Sequence, residues 1–119
     1  MIDNNLLKDK SFNFALRCVK LYKILTEERK EFIISKQFLR SGTSIGANIK
    51  EAIYAQSRAD FGSKLSIAKK EAGETEYWLE LIFRKGKMTK AIYRDLRNQC
   101  GSIRRRLIAS ITTAKNNPS

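Results

Sequence analysis

An all-α fold, an antiparallel up-down-up-down four-helix bundle that self-associates, is what this sequence predicts, on three observations. Apolar residues recur at spacings of three and four through nearly all of the 119 residues, with few alternating β-branched runs. The single proline, Pro118, lies next to the C-terminus, so no internal proline interrupts a helix. Cap and stop residues cut the periodic stretch into four segments with short connections, which favour antiparallel neighbours.

The chain reads as one domain, residues 1–119, with helices at approximately 11–25, 27–56, 58–85 and 89–114. The first helix carries two apolar stripes, Phe12, Leu16 and Val19 on one side and Phe14, Cys18, Leu21 and Leu25 on the other. A bundle core covers only one of them. The second, taken as Phe14, Cys18, Leu21 and Leu25, is either buried by neighbouring helices or left for another subunit, and the subunit contact is the preferred reading.

Thr26 followed by Glu27 and Glu28 predicts an N-cap for the second helix, with acids near the positive end of its dipole. Its core stripe runs Ile34, Phe38, Ser41, Ile45, Asn48 or Ile49, and Ala52, ending near Gln56. Gly42 and Gly46 lie four apart on one side, and glycine costs about 1 kcal/mol relative to alanine inside a helix. The compensating gain is close approach of another helix, so both are assigned to the subunit contact.

Ser57 with Asp60 approximates a capping box, and Phe61, Leu65, Ala68, Ala72, Thr75, Leu79 and Ile82 then alternate fours and threes. Trp78 beside this stripe is expected to be a packing or interface anchor rather than a ligand platform. Gly86 is a natural stop and Thr89 a cap for the fourth helix. That helix places Ile92, Leu96, Ile103, Leu107 and Ala114 on its core side, with Gln99 and Cys100 nearby. The first few residues and Lys115 to Ser119 are expected to fray.

A net charge of +12 and a pI near 10.0 make a polyanion the first partner to consider. No apolar run approaches the roughly 20 residues of a spanning helix, and the N-terminal residues lack the core of a signal peptide. The expectation is a soluble cytoplasmic protein with no membrane partner. Cys18 and Cys100 have no zinc-site spacing and the chain has no histidine, so both cysteines are expected reduced and buried. Without histidine there is also no ordinary triad base and no Glu-x-x-His pair for a bundle metal site. Ser44 and Ser66 have no nucleophile elbow, and Gly42-Thr-Ser-Ile-Gly46 does not close as a phosphate loop. No enzyme activity, cofactor or metal is expected.

The polar residues Arg40, Ser44, Asn48, Glu51 and Glu74 are read as a structural network that fixes helix register, with Glu71 or Glu74 facing Arg40 or Lys50. The functional candidate is the basic surface Lys85, Lys87, Lys90, Arg94, Arg97, Arg104, Arg105 and Arg106. At 100° per residue Lys90, Arg94, Arg97, Arg104 and Arg105 share one sector, interrupted only by Gly101, and Asp95 is the only acid after Lys85. Counterion release on such a surface favours RNA or DNA. Tyr93 is the only aromatic interleaved with these cations, so backbone-directed contact is expected rather than base stacking. The alternative is an interaction scaffold that docks an acidic protein on the same face.

Arg40-Ser-Gly-Thr-Ser-Ile-Gly-Ala-Asn-Ile-Lys-Glu51, Ser57-Arg-Ala-Asp-Phe61, Leu65-Ser-Ile-Ala68 and Glu74-Thr-Glu-Tyr-Trp-Leu79 carry a family resemblance. The chain resembles the bacterial four-helix-bundle proteins encoded in intervening sequences of 23S ribosomal RNA genes, from the helix containing Phe12 to Ile111. Many relatives have proline at Gly46 and Glu-Gly at Glu51-Ala52, departures that bear on helix geometry and not on the fold. The resemblance implies an antiparallel bundle assembled as a homopentamer, without established enzymatic activity. A related branch, accessory proteins of diversity-generating retroelements, implies a basic surface that binds a reverse transcriptase and nucleic acid. The number five comes from the resemblance alone.

Overall fold

The computed structural model describes residues 4–116 and holds, among them, four helices and no strand: α1 (Asn4–Glu27), α2 (Ile34–Ile53), α3 (Arg58–Arg84) and α4 (Lys90–Asn116). They form a rod of 50 × 21 × 19 Å in which α1 touches α2, α2 touches α3, α3 touches α4, and α4 returns to α1. The backbones of the diagonal pairs stay further apart, with no Cα atoms within 8 Å of each other among the described residues. The closing α1–α4 seam is the sparsest of the four.

The core follows the three-four spacing. Leu7, Ser11, Phe14, Cys18, Leu21 and Leu25 of α1 are all buried, as are Leu65, Ala68, Ala72, Thr75, Leu79 and Ile82 of α3. Repeats of this kind pack helices at shallow angles with side chains set into the facing helix. In α2 the expected stripe is confirmed, with Ile49 rather than Asn48 fully buried; in α4 Leu96, Cys100, Ile103 and Leu107 form the buried line.

The stripe of α1 assigned to a subunit contact is therefore the chain's own core. Phe14, Cys18 and Leu25 are 0% exposed and Leu21 is 3% exposed, so none can reach another subunit. The outward stripe is the other one, Phe12, Leu16 and Val19. Trp78 packs partly buried against the core, its edge near Tyr77 at 5.0 Å between ring centroids.

Gly42 also works within the chain. A Cβ built there would sit 2.6 Å from Cys18 Sγ and 3.8 Å from Thr75 Cγ2, so α1, α2 and α3 converge on the missing methyl. Beside it Thr75 Oγ1 lies 2.9 Å from Ser41 Oγ, a buried hydroxyl pair between α2 and α3. A Cβ at Gly46 would meet the Ser11 carbonyl oxygen at 3.3 Å, so this glycine too serves the α1–α2 approach.

Boundaries differ most around α1 and α2. α1 starts at Asn4 and runs past Thr26, whose hydroxyl donates back to the Tyr22 carbonyl at 2.9 Å, so Thr26 lies inside α1 and does not cap α2. The connection that follows is closed by Glu28 and Arg29 N–H groups on the Ile24 carbonyl and by Lys30 at φ 56°. Ile33 stands at the N-cap of α2 without a side-chain bond, and the first N–H groups are met by Glu31 two residues earlier, only 3% exposed, whose carboxylate accepts from Ile33, Ile34 and Ser35 at 3.3, 3.2 and 2.6 Å. α2 ends at Ile53, short of Gln56.

The remaining signals act as expected. Ser57 Oγ accepts from Asp60 N–H at 3.1 Å, Gly86 takes φ 79° after α3, and Thr89 Oγ1 accepts from Ile92 N–H at 3.2 Å. Lys115 and Asn116 belong to α4 instead of fraying, while residues 1–3 and 117–119 lie outside the described part.

The glycines give an opposed pair of expectations. Gly42→Ala should cost about 1–3 kcal/mol by overpacking, since the added methyl meets both Sγ and Cβ of the fully buried Cys18, whereas Gly73→Ala, with nothing within 4 Å, should gain up to about 1 kcal/mol of helix propensity. Urea denaturation of both variants checks the signs.

Glu31 gives a pH dependence. Burial pushes its carboxyl up, but the N–H groups of Ser35, Ile34 and Ile33, with the Lys85 charge, together hold it below its ordinary value of 4.5. Its contribution is complete above that value and is lost as pH falls through the lowered one. Glu31→Gln should lower stability at pH 7 by about 1–3 kcal/mol and flatten the acid limb; urea midpoints between pH 7 and 3 measure both.

Candidate nucleic-acid interface

The eight cations read from the sequence divide into two groups. Lys85, Lys87 and Arg104 are tied into the fold: Lys85 Nζ lies 3.9 Å from Glu31, Lys87 Nζ donates to the Arg29 carbonyl at 3.2 Å, and Arg104 Nε donates to Glu76 at 2.7 Å. The two lysines hold the α3–α4 connection against the α1–α2 connection. Arg104 joins α4 to α3.

Lys90, Arg94, Arg97, Arg105 and Arg106 are exposed and have no acidic partner among the described residues. Lys90, Arg94 and Arg97 follow one line along the first turns of α4. The line continues over Gly101, where a Cβ would lie 3.1 Å from Arg105 Nη1 and 3.7 Å from Glu76 Oε2. The absent side chain lets the Arg105 guanidinium lie back over the helix beside the Arg104–Glu76 pair. Arg106 does not share this ridge. One residue turns a helix by about 100°, which puts Arg106 on the α1 side of α4, in phase with Ser102 and Asp95.

Tyr93 is committed internally. Phe83 stacks on its ring at 4.4 Å and 3° between planes, and the Arg97 guanidinium carbon lies 5.2 Å over the same ring. An aromatic ring occupied in this way is not a base-stacking platform, and cation–π contact fixes the direction of Arg97 instead. The ridge offers guanidinium and ammonium groups, the chemistry of phosphate contact.

The acid of α4 is neutralised by α1. Arg17 Nη2 pairs with Asp95, which also accepts from Gln99 at 3.1 Å, and these two hydrogen bonds, Gln99 first, hold the Asp95 carboxyl below its ordinary value. Arg17, like Lys10 and Lys20, was not singled out in the sequence, because these cations are scattered along α1 among apolar residues. Their spacing of seven and three is the signal that places them on one side.

The polar set on α2 is three separate arrangements and not one network. Arg40 bridges Glu71 at 3.1 Å and Glu74 at 3.0 Å; Glu51 pairs with Lys64 at 3.1 Å; Ser44 and Asn48 donate to the Arg40 and Ser44 carbonyls of their own helix at 2.6 and 2.8 Å. Only the first two span α2 and α3. Cys18 and Cys100 are buried free thiols, and burial pushes Cys18 up to about 12 and Cys100 higher still, so neither supplies a thiolate nucleophile. No cluster of three metal-ligating side chains occurs among the described residues, and no described helix is long and apolar enough to cross a membrane.

Comparison with known proteins agrees with this architecture. The family described as 23S rRNA-intervening sequence protein matches residues 3–109. A crystal structure of a protein with unknown function from the S23 ribosomal protein family of Bacteroides thetaiotaomicron has a TM-score of 0.90 and 58% identity, covering 92% of this chain and 97% of that one. No curated protein matches.

Proposed function

The chain belongs to the 23S rRNA-intervening sequence protein family, and from its outward cations we propose that it is a non-enzymatic nucleic-acid-binding protein working as a homo-oligomer. The carrying observation is the α4 surface, where Lys90, Arg94, Arg97, Arg105 and Arg106 lack acidic partners while the only acid of that helix is bound to Arg17. Contacts of this kind read the phosphate backbone and position a nucleic acid without selecting its sequence. The protein then serves as a cytoplasmic accessory to a nucleic-acid enzyme such as a reverse transcriptase, in keeping with the family resemblance.

An antiparallel up-down-up-down arrangement is part of the proposal. It draws support from the α2–α3 pairs, where Glu51 meets Lys64 and Arg40 meets Glu71 and Glu74, so rising numbers on one helix face falling numbers on the other. Assembly is supported by the α1 stripe, with Phe12 64%, Leu16 55% and Val19 41% exposed on one face. A pentamer is the order we propose, and several copies would multiply weak basic surfaces through effective concentration.

Two outcomes follow. Lys90→Glu combined with Arg94→Glu should abolish the mobility shift of structured RNA at low salt without moving the melting temperature, and nuclease treatment should remove the co-purifying partner; a partner that survives nuclease indicates an acidic protein. In sedimentation the wild type should run at a multiple of 13.7 kDa, and Phe12→Glu with Leu16→Glu should reduce it to the single-chain mass.

A further inference from the structure

The sparse seam between α1 and α4 holds two grooves in line. One, of 380 Å³, is lined by Lys10, Asn13, Asn98, Gln99, Ser102 and Ile103; the other, of 320 Å³, by Arg17, Lys20, Leu21, Ile24, Ile92 and Leu96. The Arg17–Asp95 pair crosses between them. On α1 the cations Lys10, Arg17 and Lys20 fall at spacings of seven and three, a single row about 15 Å long at 1.5 Å per residue. The opposite wall is α4, where Arg106 lies one turn beyond Ser102.

The two grooves differ in chemistry. The first presents amide and hydroxyl groups of Asn13, Asn98 and Ser102, none of which has a hydrogen-bond partner among the described residues. The second has an apolar floor of the half-buried Ile24 and Ile92, backed by the buried Leu21 and Leu96, beside two cationic side chains. A row of cations beside one hydrogen-bonding groove and one apolar groove suits a polymer with a charged backbone and flat, edge-polar side groups. Each groove is at the lower end of small-ligand pocket size, a volume suited to a single base.

We infer that the α1–α4 seam is a cleft for single-stranded nucleic acid, whose phosphates take Lys10, Arg17, Lys20 and Arg106 while its bases enter the two grooves. The inference rests on the proposed nucleic-acid binding and moves its centre from the exposed ridge of α4 to the seam beside it. Asp95 has a defined part: paired with Arg17 across the seam, it occupies that guanidinium where a phosphate would bind. The ridge residues Arg94 and Arg105 adjoin the seam through Asn98 and hold the flanking strand. An exposed ion pair is worth about 0–1 kcal/mol, so exchange of Asp95 for phosphate on Arg17 is inexpensive.

The test uses fluorescence anisotropy of a labelled 12-nucleotide oligouridylate, and of a duplex of the same length, titrated with the full chain at 50 to 200 mM salt. Lys10→Gln with Lys20→Gln should weaken single-strand binding at least tenfold and reduce the salt slope by about 1.4, from 0.7 per phosphate contact on a single strand. Lys36→Gln with Lys50→Gln on α2, diagonal to α4, makes the same change in net charge and should have a smaller effect. Asp95→Asn should tighten binding two- to tenfold, the reverse of what a structural role for that carboxylate would give. Unchanged single-strand binding by the Lys10/Lys20 variant, or weakened binding by Asp95→Asn, overturns the cleft. If the cleft fails while Arg94→Gln with Arg105→Gln abolishes binding, the ridge reading stands alone. Absence of binding by the wild type to both probes removes both readings.

Discussion

The contact of Gly42 with Cys18 sets the spacing on which the bundle depends. Because a methyl at Gly42 would stand 2.6 Å from Cys18 Sγ, α1 lies closer to α2 than any other residue would permit, and Thr75 of α3 reaches the same point. Interiors packed to crystal density transmit such a constraint, since a neighbouring helix cannot shift without opening a void. The close approach brings Ser41 within hydrogen-bond distance of Thr75, and Arg40 next to them clamps Glu71 and Glu74 at the surface. α2 is thus fixed on both sides. α4 has no equivalent contact with α1, and the ring closes loosely there.

Most of this was legible in the sequence where local chemistry is decisive. Ser57, Gly86 and Thr89 act at the expected ends, and the stripes of α2, α3 and α4 point inward as their spacing requires. The two stripes of α1 are evenly matched over residues 11–25. Beginning at Asn4 adds Leu7 and Ser11 to Phe14, Cys18, Leu21 and Leu25, a run of six alternating fours and threes that the Phe12 stripe cannot match. The α2 boundary failed for a different reason. Thr26 with two following acids has cap chemistry, but its hydroxyl bonds backward into α1, and the first N–H groups of α2 are met by Glu31, two residues before the N-cap position, which Ile33 fills. A buried tertiary setting, with Lys85 approaching from across the bundle, makes Glu31 suitable. The candidate site was legible as a set of charges and not as a surface, since sequence cannot show that Arg104 is spent on Glu76 or that the side of α4 carrying Asp95 and Arg106 faces α1.

The distribution of charge follows from the fold in the same way. The acids Glu31, Glu51, Glu71, Glu74, Glu76, Glu80 and Asp95 are each held by a cap or an ion pair. Structural duties thereby consume most of the negative charge. The unmatched cations are left on the outer surfaces, and α4 has no acid left to offset its own.

This arrangement bears on what the charge is for. A net charge of +12 on a chain of this length exceeds the magnitude of about 2–8 that suffices for solubility of a small domain, and self-repulsion among like charges destabilises a compact state. Neighbouring cations one turn apart along α4, about 5.4 Å, lie within the Debye length of about 8 Å at physiological ionic strength, so their repulsion is not fully screened. Folding gathers these charges onto α4 and the α1 seam at a density the unfolded chain does not reach. A polyanion that matches the density relieves repulsion chiefly in the folded state, so binding and stability are linked. The tight α1–α2–α3 side supplies the rigidity to hold the cations in place. The loosely closed seam, where Lys10, Arg17 and Lys20 stand along one helix and Asp95 pairs with Arg17, is where such a partner gains most.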